Sequence, residues 1–272
     1  MKLNNEIIEK LLVEFLRNET YKIGIKKAVI GLSGGIDSAV STYLAVKAFG
    51  AENVKCFLMP YKSSSKESVI DAMRVVDALK VPYEKIEITD MVDAFVKNAN
   101  DKDITNLRKG NIMARCRMIV LYDQSAKENA LVIGTGNKTE ILLGYSTLFG
   151  DSASAINPVG DLYKTQLLDL AEHLKIPQEL IDKKPSADLW EGQSDENEFG
   201  FTYKKVDEYL FQKIDERRTS EELDTMGFEK DFMEKVNKMI YRNQFKRTMP
   251  LIAKVSNRTV NVDFRYNRDW MV

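Results

Sequence analysis

Two serines, two glycines and an aspartate fall within six residues, Ser33-Gly34-Gly35-Ile36-Asp37-Ser38, and their types are those that handle phosphate. Without a Cβ on Gly34 or Gly35, a phosphate can come within hydrogen-bond reach of the backbone N–H groups. The helix that opens at Asp37 turns the positive end of its dipole toward that anion. Ser33 and Ser38 add hydroxyl donors, and Asp37 is an oxygen ligand suited to the Mg²⁺ that accompanies a polyphosphate. The spacing fits neither a G-x-x-x-x-G-K-[ST] loop nor a G-x-G-x-x-G fingerprint. A second group, Gly134-Thr135-Gly136-Asn137-Lys138-Thr139-Glu140, supplies another carboxylate, so Asp37 and Glu140 from separate loops could share a metal without a full protein cage. Lys164 stands in the first turn of a helix, where the dipole disfavours a cation; it either faces an anion or is simply solvated. Arg108, Asn111 and Arg115 form one helical stripe, and Arg117, two residues on, must do a different job from Arg115.

The elements that position these groups follow from periodicity. Asn4 to Asn18 carries Ile7, Ile8, Leu11, Leu12 and Phe15 at helical spacing. Ala28 to Leu32 reads as a buried parallel strand, followed by a helix to Phe49 and a strand from Asn53 to Met59. Ser64 and Glu67 have capping-box spacing at the head of a helix through Leu79, then come a strand from Glu84 to Ile88 and a helix from Asp90. Thr105 to Ala126 reads as a long helix with Ile112, Cys116, Ile119 and Val120 on its buried face, and Ala130 to Ile133 as a fourth strand. Alternating strand and helix is the doubly wound α/β pattern, a mostly parallel sheet flanked by helices with ligands at the carboxyl ends of the strands. Both glycine-bearing loops lie at such ends. A turn at Asn157 to Gly160 leads to a helix from Tyr163 to Leu174. Lys183 to Gly200 is polar and acidic and reads as a lid loop; Tyr203 to Ile214 and Phe228 to Phe245 read as helices. With no internal repeat, the chain reads as a single domain over 1–272. Its parts are an N-terminal helix in 1–26, a nucleotide-binding α/β core in 27–182, the lid in 183–200, and a helical C-terminal region and tail in 201–272.

Composition narrows the function classes. A formal net charge of -1 provides no field for nucleic acid or an anionic membrane, and no run approaches the ~18 apolar residues of a membrane span. Cys56 and Cys116 lie far apart, outside any C-x-x-C, which argues against a disulfide scaffold and for a reducing compartment. The single histidine, His173, falls in a helix as a surface or half-buried residue, so zinc hydrolases and Ser-His-Asp triads are nearly excluded. Without an apolar signal core at the N-terminus, a cytoplasmic location is expected.

The Ser33 to Ser38 loop resembles that of the ATP pyrophosphatases. Taken with Gly110 to Met118, Gly134 to Glu140, Leu162-Tyr163-Lys164-Thr165, Pro185-Ser186-Ala187-Asp188-Leu189 and Asp263-Phe264-Arg265-Tyr266, the chain resembles ammonia-dependent NAD synthetase over nearly its whole length. The resemblance implies ATP-dependent amidation of deamido-NAD to NAD through an adenylate, as the last step of NAD biosynthesis. It implies ATP contacts at Gly31, Leu32, Ser33, Gly34, Gly35, Ile36, Asp37, Ser38, Thr135, Lys164 and Ser186, with Ser33, Asp37 and Lys164 carrying catalysis. Mg²⁺ would be held by Asp37 and Glu140, and deamido-NAD would lie at Arg115, Leu148, Ala155, Phe245 and Lys246. Three of these depart from the family, which commonly has a lysine near Leu148, an aspartate at Ala155 and a histidine at Phe245. Losing the first two charges together suggests a polar contact replaced by an apolar one. The family works as a homodimer, which gives the N-terminal helix a role beyond packing.

Only about 27 residues precede the first strand, too few for a glutamine-hydrolysing domain, so ammonia is expected free or from a separate subunit. Two other readings fit the loop. Another ATP pyrophosphatase, GMP-synthetase-like or tRNA-thiolating, shares the loop, although tRNA work would favour a basic face and catalytic cysteines. A regulatory module that senses ATP shares the loop too, but needs no second carboxylate.

Overall fold

The computed structural model describes the whole chain except Lys102, Ala187, Glu191, Met249, Asn261, Val262 and residues 264–272. Most of the aromatic tail motif from Asp263 to Tyr266 therefore lies outside the described residues. Helix α1 (Asn5–Tyr21) leads into β1 (Ala28–Gly31), α2 (Ile36–Phe49), β2 (Val54–Leu58), α3 (Lys66–Leu79), β3 (Tyr83–Lys85), α4 (Thr89–Ala99), α5 (Asn106–Glu128) and β4 (Leu131–Val132). Then follow α6 (Lys138–Leu143), α7 (Lys164–His173), α8 (Gln178–Ile181), α9 (Asp195–Phe199), α10 (Tyr203–Leu210), α11 (Ser220–Thr225) and α12 (Lys230–Arg242).

The strands form a parallel sheet in the order β3-β2-β1-β4, with Ala28 level with Val54 on one side and Leu131 on the other. The chain runs from β1 outward to β2 and β3, then crosses back to place β4 against the other edge of β1. That reversal opens a crevice between the carboxyl ends of β1 and β4, the position where doubly wound sheets hold their ligands. Alternation along β1 decides which face each residue fills. Ala28 and Ile30 join a core with Leu16, Leu44, Val75, Leu167 and Leu170 on the side of α1, α2, α3 and α7. Val29 faces the opposite core of Phe57, Ile88, Val92, Met113, Cys116 and Val120, under α4 and α5. A third apolar cluster, with Tyr203, Val206, Tyr209, Leu223, Phe228, Phe232 and Val236, belongs to the C-terminal helices and reaches the α/β part through Leu143 and Tyr163.

Several local expectations shift. Ser65, not Ser64, caps α3: its hydroxyl accepts from Ser68 N–H at 3.4 Å, while Ser64 accepts from Tyr61 N–H in the preceding turn. β3 is assigned only over Tyr83–Lys85, although Ile86 N–H still reaches Leu58 O at 2.9 Å and Ile88 N–H reaches Pro60 O at 3.0 Å. Ile119 is exposed, one position off the buried face of α5 that holds Cys116 and Val120. The helix expected over Phe228 to Phe245 is α12 followed by a separate 3₁₀ turn, and α11 was not foreseen. α11 is short and carries its own Thr219/Glu222 capping box in a stretch with little apolar periodicity.

Candidate active site

The loop after β1 is built so that only glycine fits at its tightest point. Gly34 has φ +80°, and a Cβ there would lie 2.0 Å from the carbonyl oxygen of Ser68. Gly35 then starts α2 without a side-chain cap, which leaves the first N–H groups of the helix for a ligand. The two serines close the loop on themselves: Ser38 Oγ accepts from Ser33 N–H at 3.2 Å and donates to Gly35 O at 2.9 Å, and the two hydroxyls are 3.1 Å apart. These are the donors a bound phosphate would recruit.

Across the crevice, Asn137 caps α6. Its side chain accepts from Glu140 N–H at 3.0 Å, Glu140 Oε2 accepts from Asn137 N–H at 3.2 Å, and Asn137 Nδ2 donates to Asp37 Oδ1 at 2.8 Å. Residues a hundred positions apart are thereby locked together. The other Asp37 oxygen pairs with the Lys164 ammonium, which lies 4.0 Å from Glu140 Oε1 and 5.5 Å from the centre of the Tyr203 ring. Lys164 is 2% exposed. Burial alone would depress its pKa, but the Asp37 and Glu140 carboxylates outweigh burial and hold it above the ordinary lysine value. Glu140 moves the other way from a free carboxylate: burial first, then the Asp37 charge, push it well up. Lys164 therefore faces anions, the first of the two readings its place at a helix N-terminus allowed.

Asp37 and Glu140 offer hard oxygen atoms to a dication, whose charge would favour the ionised form of Glu140 that burial and Asp37 disfavour. Among the described residues no third carboxylate, histidine or cysteine completes a metal-binding group with them. The donor set fits an ion such as Mg²⁺ that takes its remaining ligands from phosphate and water.

The segment expected to be a plain lid loop contains α9 and is tied to the site at several points. Lys183 Nζ donates to Asp71 Oδ2 at 2.8 Å and to Ser68 Oγ at 3.3 Å, and Asp188 accepts from Ser65 N–H. Asp195, buried, accepts from the hydroxyls of Tyr203 at 2.9 Å and Tyr145 at 3.1 Å. Burial raises the Asp195 pKa, and its bonds to the two tyrosines and the nearby Lys164 offset this only in part. Ser186 is exposed, and its hydroxyl accepts from Asp188 N–H within the same segment. Thr135 sits half-buried just before Asn137.

The second group of expected site residues gathers on one stretch of backbone. Arg115 donates through Nε and one terminal nitrogen to Leu148 O, both at 3.3 Å, and Lys246 Nζ donates to Gly144 O at 2.6 Å and Ser146 O at 2.7 Å. Phe245 is exposed and Leu148 half-buried. Ala155 is exposed and hangs beside β4, its N–H bonded to Val132 O. Arg117 does a separate job, donating to Met59 O at 3.0 Å beyond the end of β2. Both cysteines are buried thiols, and His173 is a partly exposed partner of Glu9. Sequence reasoning missed Asn137, Tyr145, Asp195 and Tyr203. Asn137 was within reach, since Asn-x-x-Glu after a strand has capping-box spacing; the others carry no local signal.

A family profile described as NAD synthase matches residues 7–250. The chain is 56% identical over 270 residues to an NH(3)-dependent NAD(+) synthetase of Chlorobium phaeobacteroides, covering 99% of this chain and 97% of the relative. It is 55% identical to the NH(3)-dependent NAD(+) synthetase of Fusobacterium nucleatum over 94% of this chain and 98% of that one. Among solved structures it is similar to an NMN synthetase from Francisella tularensis, with TM-score 0.83, 33% identity, and 93% of this chain and 99% of that chain covered. It is also similar to an NH3-dependent NAD synthetase from Campylobacter jejuni in complex with nitrate, with TM-score 0.79, 35% identity, and 93% and 100% covered.

Proposed function

We propose a reaction from one premise: the chain belongs to the NAD synthase family. It is an ATP-dependent ligase that amidates deamido-NAD with ammonia to give NAD, AMP and pyrophosphate, the last step of NAD biosynthesis. The observation that carries this reading is the meeting of the β1 and β4 loops, where Asp37, Asn137, Glu140 and Lys164 join around the head of a phosphate-gripping helix.

The nicotinate carboxylate oxygen attacks the α-phosphorus of ATP, the bond from that phosphorus to the bridging oxygen breaks, and pyrophosphate leaves. Ammonia then attacks the acyl carbon, AMP leaves with the shared oxygen, and the nitrogen gives up a proton to water. Activation is needed because a bare carboxylate would have to expel an oxide. The backbone N–H groups of Ser33 to Ser38 and the dipole of α2 hold the departing pyrophosphate. Lys164, kept charged by its carboxylate neighbours, meets the phosphate charge that grows as the bond breaks. Asp37 and Glu140 would hold Mg²⁺, which supplies charge neutralisation on the phosphate oxygens. Thr135 and Ser186 complete the ATP contacts, Ser186 by movement of its segment. Arg115, Leu148, Ala155, Phe245 and Lys246 line the deamido-NAD side, where Arg115 and Lys246 shape the 144–148 backbone. No helix among the described residues is long and apolar enough to cross a membrane, which fits a cytoplasmic enzyme. Ile7 and Leu11, exposed on α1, suit burial against a second copy in a homodimer.

Incubation with ATP, Mg²⁺, ammonium and deamido-NAD is expected to yield AMP, pyrophosphate and NAD together. AMP formation with xanthosine monophosphate and none with deamido-NAD would overturn the assignment. A second reading has its own support: the likeness to an NMN synthetase, together with apolar Leu148 and Ala155, suits a mononucleotide acceptor. The same assay with nicotinate mononucleotide decides it, since a higher kcat/KM than for deamido-NAD would make the mononucleotide the substrate.

A further inference from the structure

The start of α6, which carries Glu140, and the start of α7, which carries Lys164, are bridged twice by one other element. α10 continues past Leu210 into a π-helical turn, Phe211–Asp215, and the combined element presents two aspartates. Asp207 is 0% exposed. One of its oxygens accepts from Thr139 Oγ1 at 2.6 Å and the other from Thr165 N–H at 2.8 Å. Thr139 Oγ1 in turn accepts from Lys164 N–H at 3.1 Å. Asp215 repeats the pattern one layer out, accepting from Lys138 Nζ at 2.8 Å on the α6 side and from Tyr163 OH at 2.9 Å on the α7 side. Each carboxylate thus takes one donor from the residues flanking Glu140 and one from the residues flanking Lys164.

We propose that Asp207 and Asp215 are positioning residues, a double clamp from α10 and its π turn that sets the separation of α6 and α7 and so seats Glu140 and Lys164 around Asp37. A fully buried carboxylate with only neutral hydrogen-bond donors is a costly way to pack a helix, and apolar side chains of similar size would do that work more cheaply. What the carboxylate adds is direction. It takes backbone and hydroxyl donors at fixed angles from two helix N-termini whose dipoles both favour an anion. Gly134 to Glu140 and Leu162 to Thr165 touch directly through Lys138 N–H to Leu162 O at 2.8 Å, the Lys164 N–H bond to Thr139 Oγ1 and the Lys164 ammonium 4.0 Å from Glu140, and the two aspartates add a bridge on each side of these contacts.

The inference rests on Glu140 and Lys164 serving the Mg²⁺ and phosphate of ATP as proposed above. Its test is calorimetric binding of Mg·ATP to the full-length protein, which needs no amidation. Thr139→Val removes the hydroxyl shared by Asp207 and Lys164 N–H without changing the side chain's shape. It is expected to weaken Mg·ATP binding roughly 10- to 100-fold, the scale of a lost hydrogen bond to a charged group. The KM for deamido-NAD should stay unchanged, and Thr139→Ser should recover most of the binding. A folded Thr139→Val protein that binds Mg·ATP like wild type, or one that loses both substrates alike, overturns the clamp. If Thr139→Val does not fold, Asp215→Asn at the more exposed bridge carries the same test, and unchanged Mg·ATP binding there overturns it. The two readings fail separately: unaltered Mg·ATP binding in Glu140→Gln and Lys164→Ala would remove the premise, and unaltered binding in the clamp variants alone would remove the clamp.

Discussion

Lys164 keeps its proton in a buried site only because two carboxylates sit beside it, so the three groups stand or fall together. Lys164→Met would leave Asp37 and Glu140 facing each other without a cation, and breaking a buried ion pair in this way costs about 3–5 kcal/mol. The melting temperature of that variant is expected to drop and then recover in part as Mg²⁺ is added, because a bound dication replaces the lost charge. A deficit that ignores Mg²⁺ would show that the two carboxylates do not share a cation. Asp37→Ala is expected to abolish Mg²⁺-dependent turnover, and normal turnover would withdraw its role as a ligand. Asp195 gives a pH signature. Burial raises its folded pKa above the ordinary 3.8, so the folded chain binds that proton more tightly than the unfolded one and stability declines as pH rises from 3.8 through the folded value. Asp195→Asn carries no such penalty. Its melting temperature should gain on wild type between acid and neutral pH, and parallel melting curves across that range would exclude the effect.

At the scale of elements, the 183–200 segment changes character between sequence and structure. Its composition suggests a plain loop, but α9 sits within it and Asp195 is gripped by Tyr145 and Tyr203. Five positions alone do not make a helix legible, and the grip depends on tyrosines far from the segment's own turn signals. On the proposed reading of this segment as a lid, the Asp195 contacts are a latch that releases to admit ATP. Tyr145→Phe deletes the hydroxyl whose single proton is shared between Asp195 and Glu198, a bond to a charged group worth ~1.5–3 kcal/mol. Limited proteolysis within 183–200 is expected to quicken by about tenfold or more, while ATP with deamido-NAD protects the wild type. Equal cleavage rates with and without substrates would remove the lid. α6 shows the same dependence on remote partners at its other end. Arg247 donates to Ile141 O and Leu142 O, and Lys246 to Gly144 O, so cations more than a hundred residues downstream cap the helix that carries Glu140 in its first turn.

For the whole molecule, the order β3-β2-β1-β4 is the decisive fact, because it puts the two ligand loops on either side of one crevice. The C-terminal helices form their own aromatic core and are tied to the starts of α6 and α7 through Asp207 and Asp215. α1 buries Leu12, Val13 and Leu16 but leaves Ile7 and Leu11 exposed. Sedimentation at increasing protein concentration is expected to show dimers, and Leu11→Asp to shift them toward monomers. A wild type that stays monomeric would leave those residues without a partner.

Local chemistry was determined by the sequence alone. Ser33 to Ser38 reads as a phosphate grip because two glycines, two hydroxyls and a carboxylate meet at a strand-to-helix turn, and strand-helix alternation set the α/β class. Asp37, Glu140 and Lys164 could each be singled out by type and position. Their meeting could not, because Asp37 and Lys164 are 127 residues apart and nothing in either neighbourhood encodes the other. Asp195, Tyr203 and Asp207 were invisible for the same reason: each acts through a partner supplied by the tertiary fold. Charge and hydrogen-bonding capacity are properties of a residue, whereas the burial that raises Glu140 and the neighbours that keep Lys164 charged exist only once the crevice between β1 and β4 has closed around them.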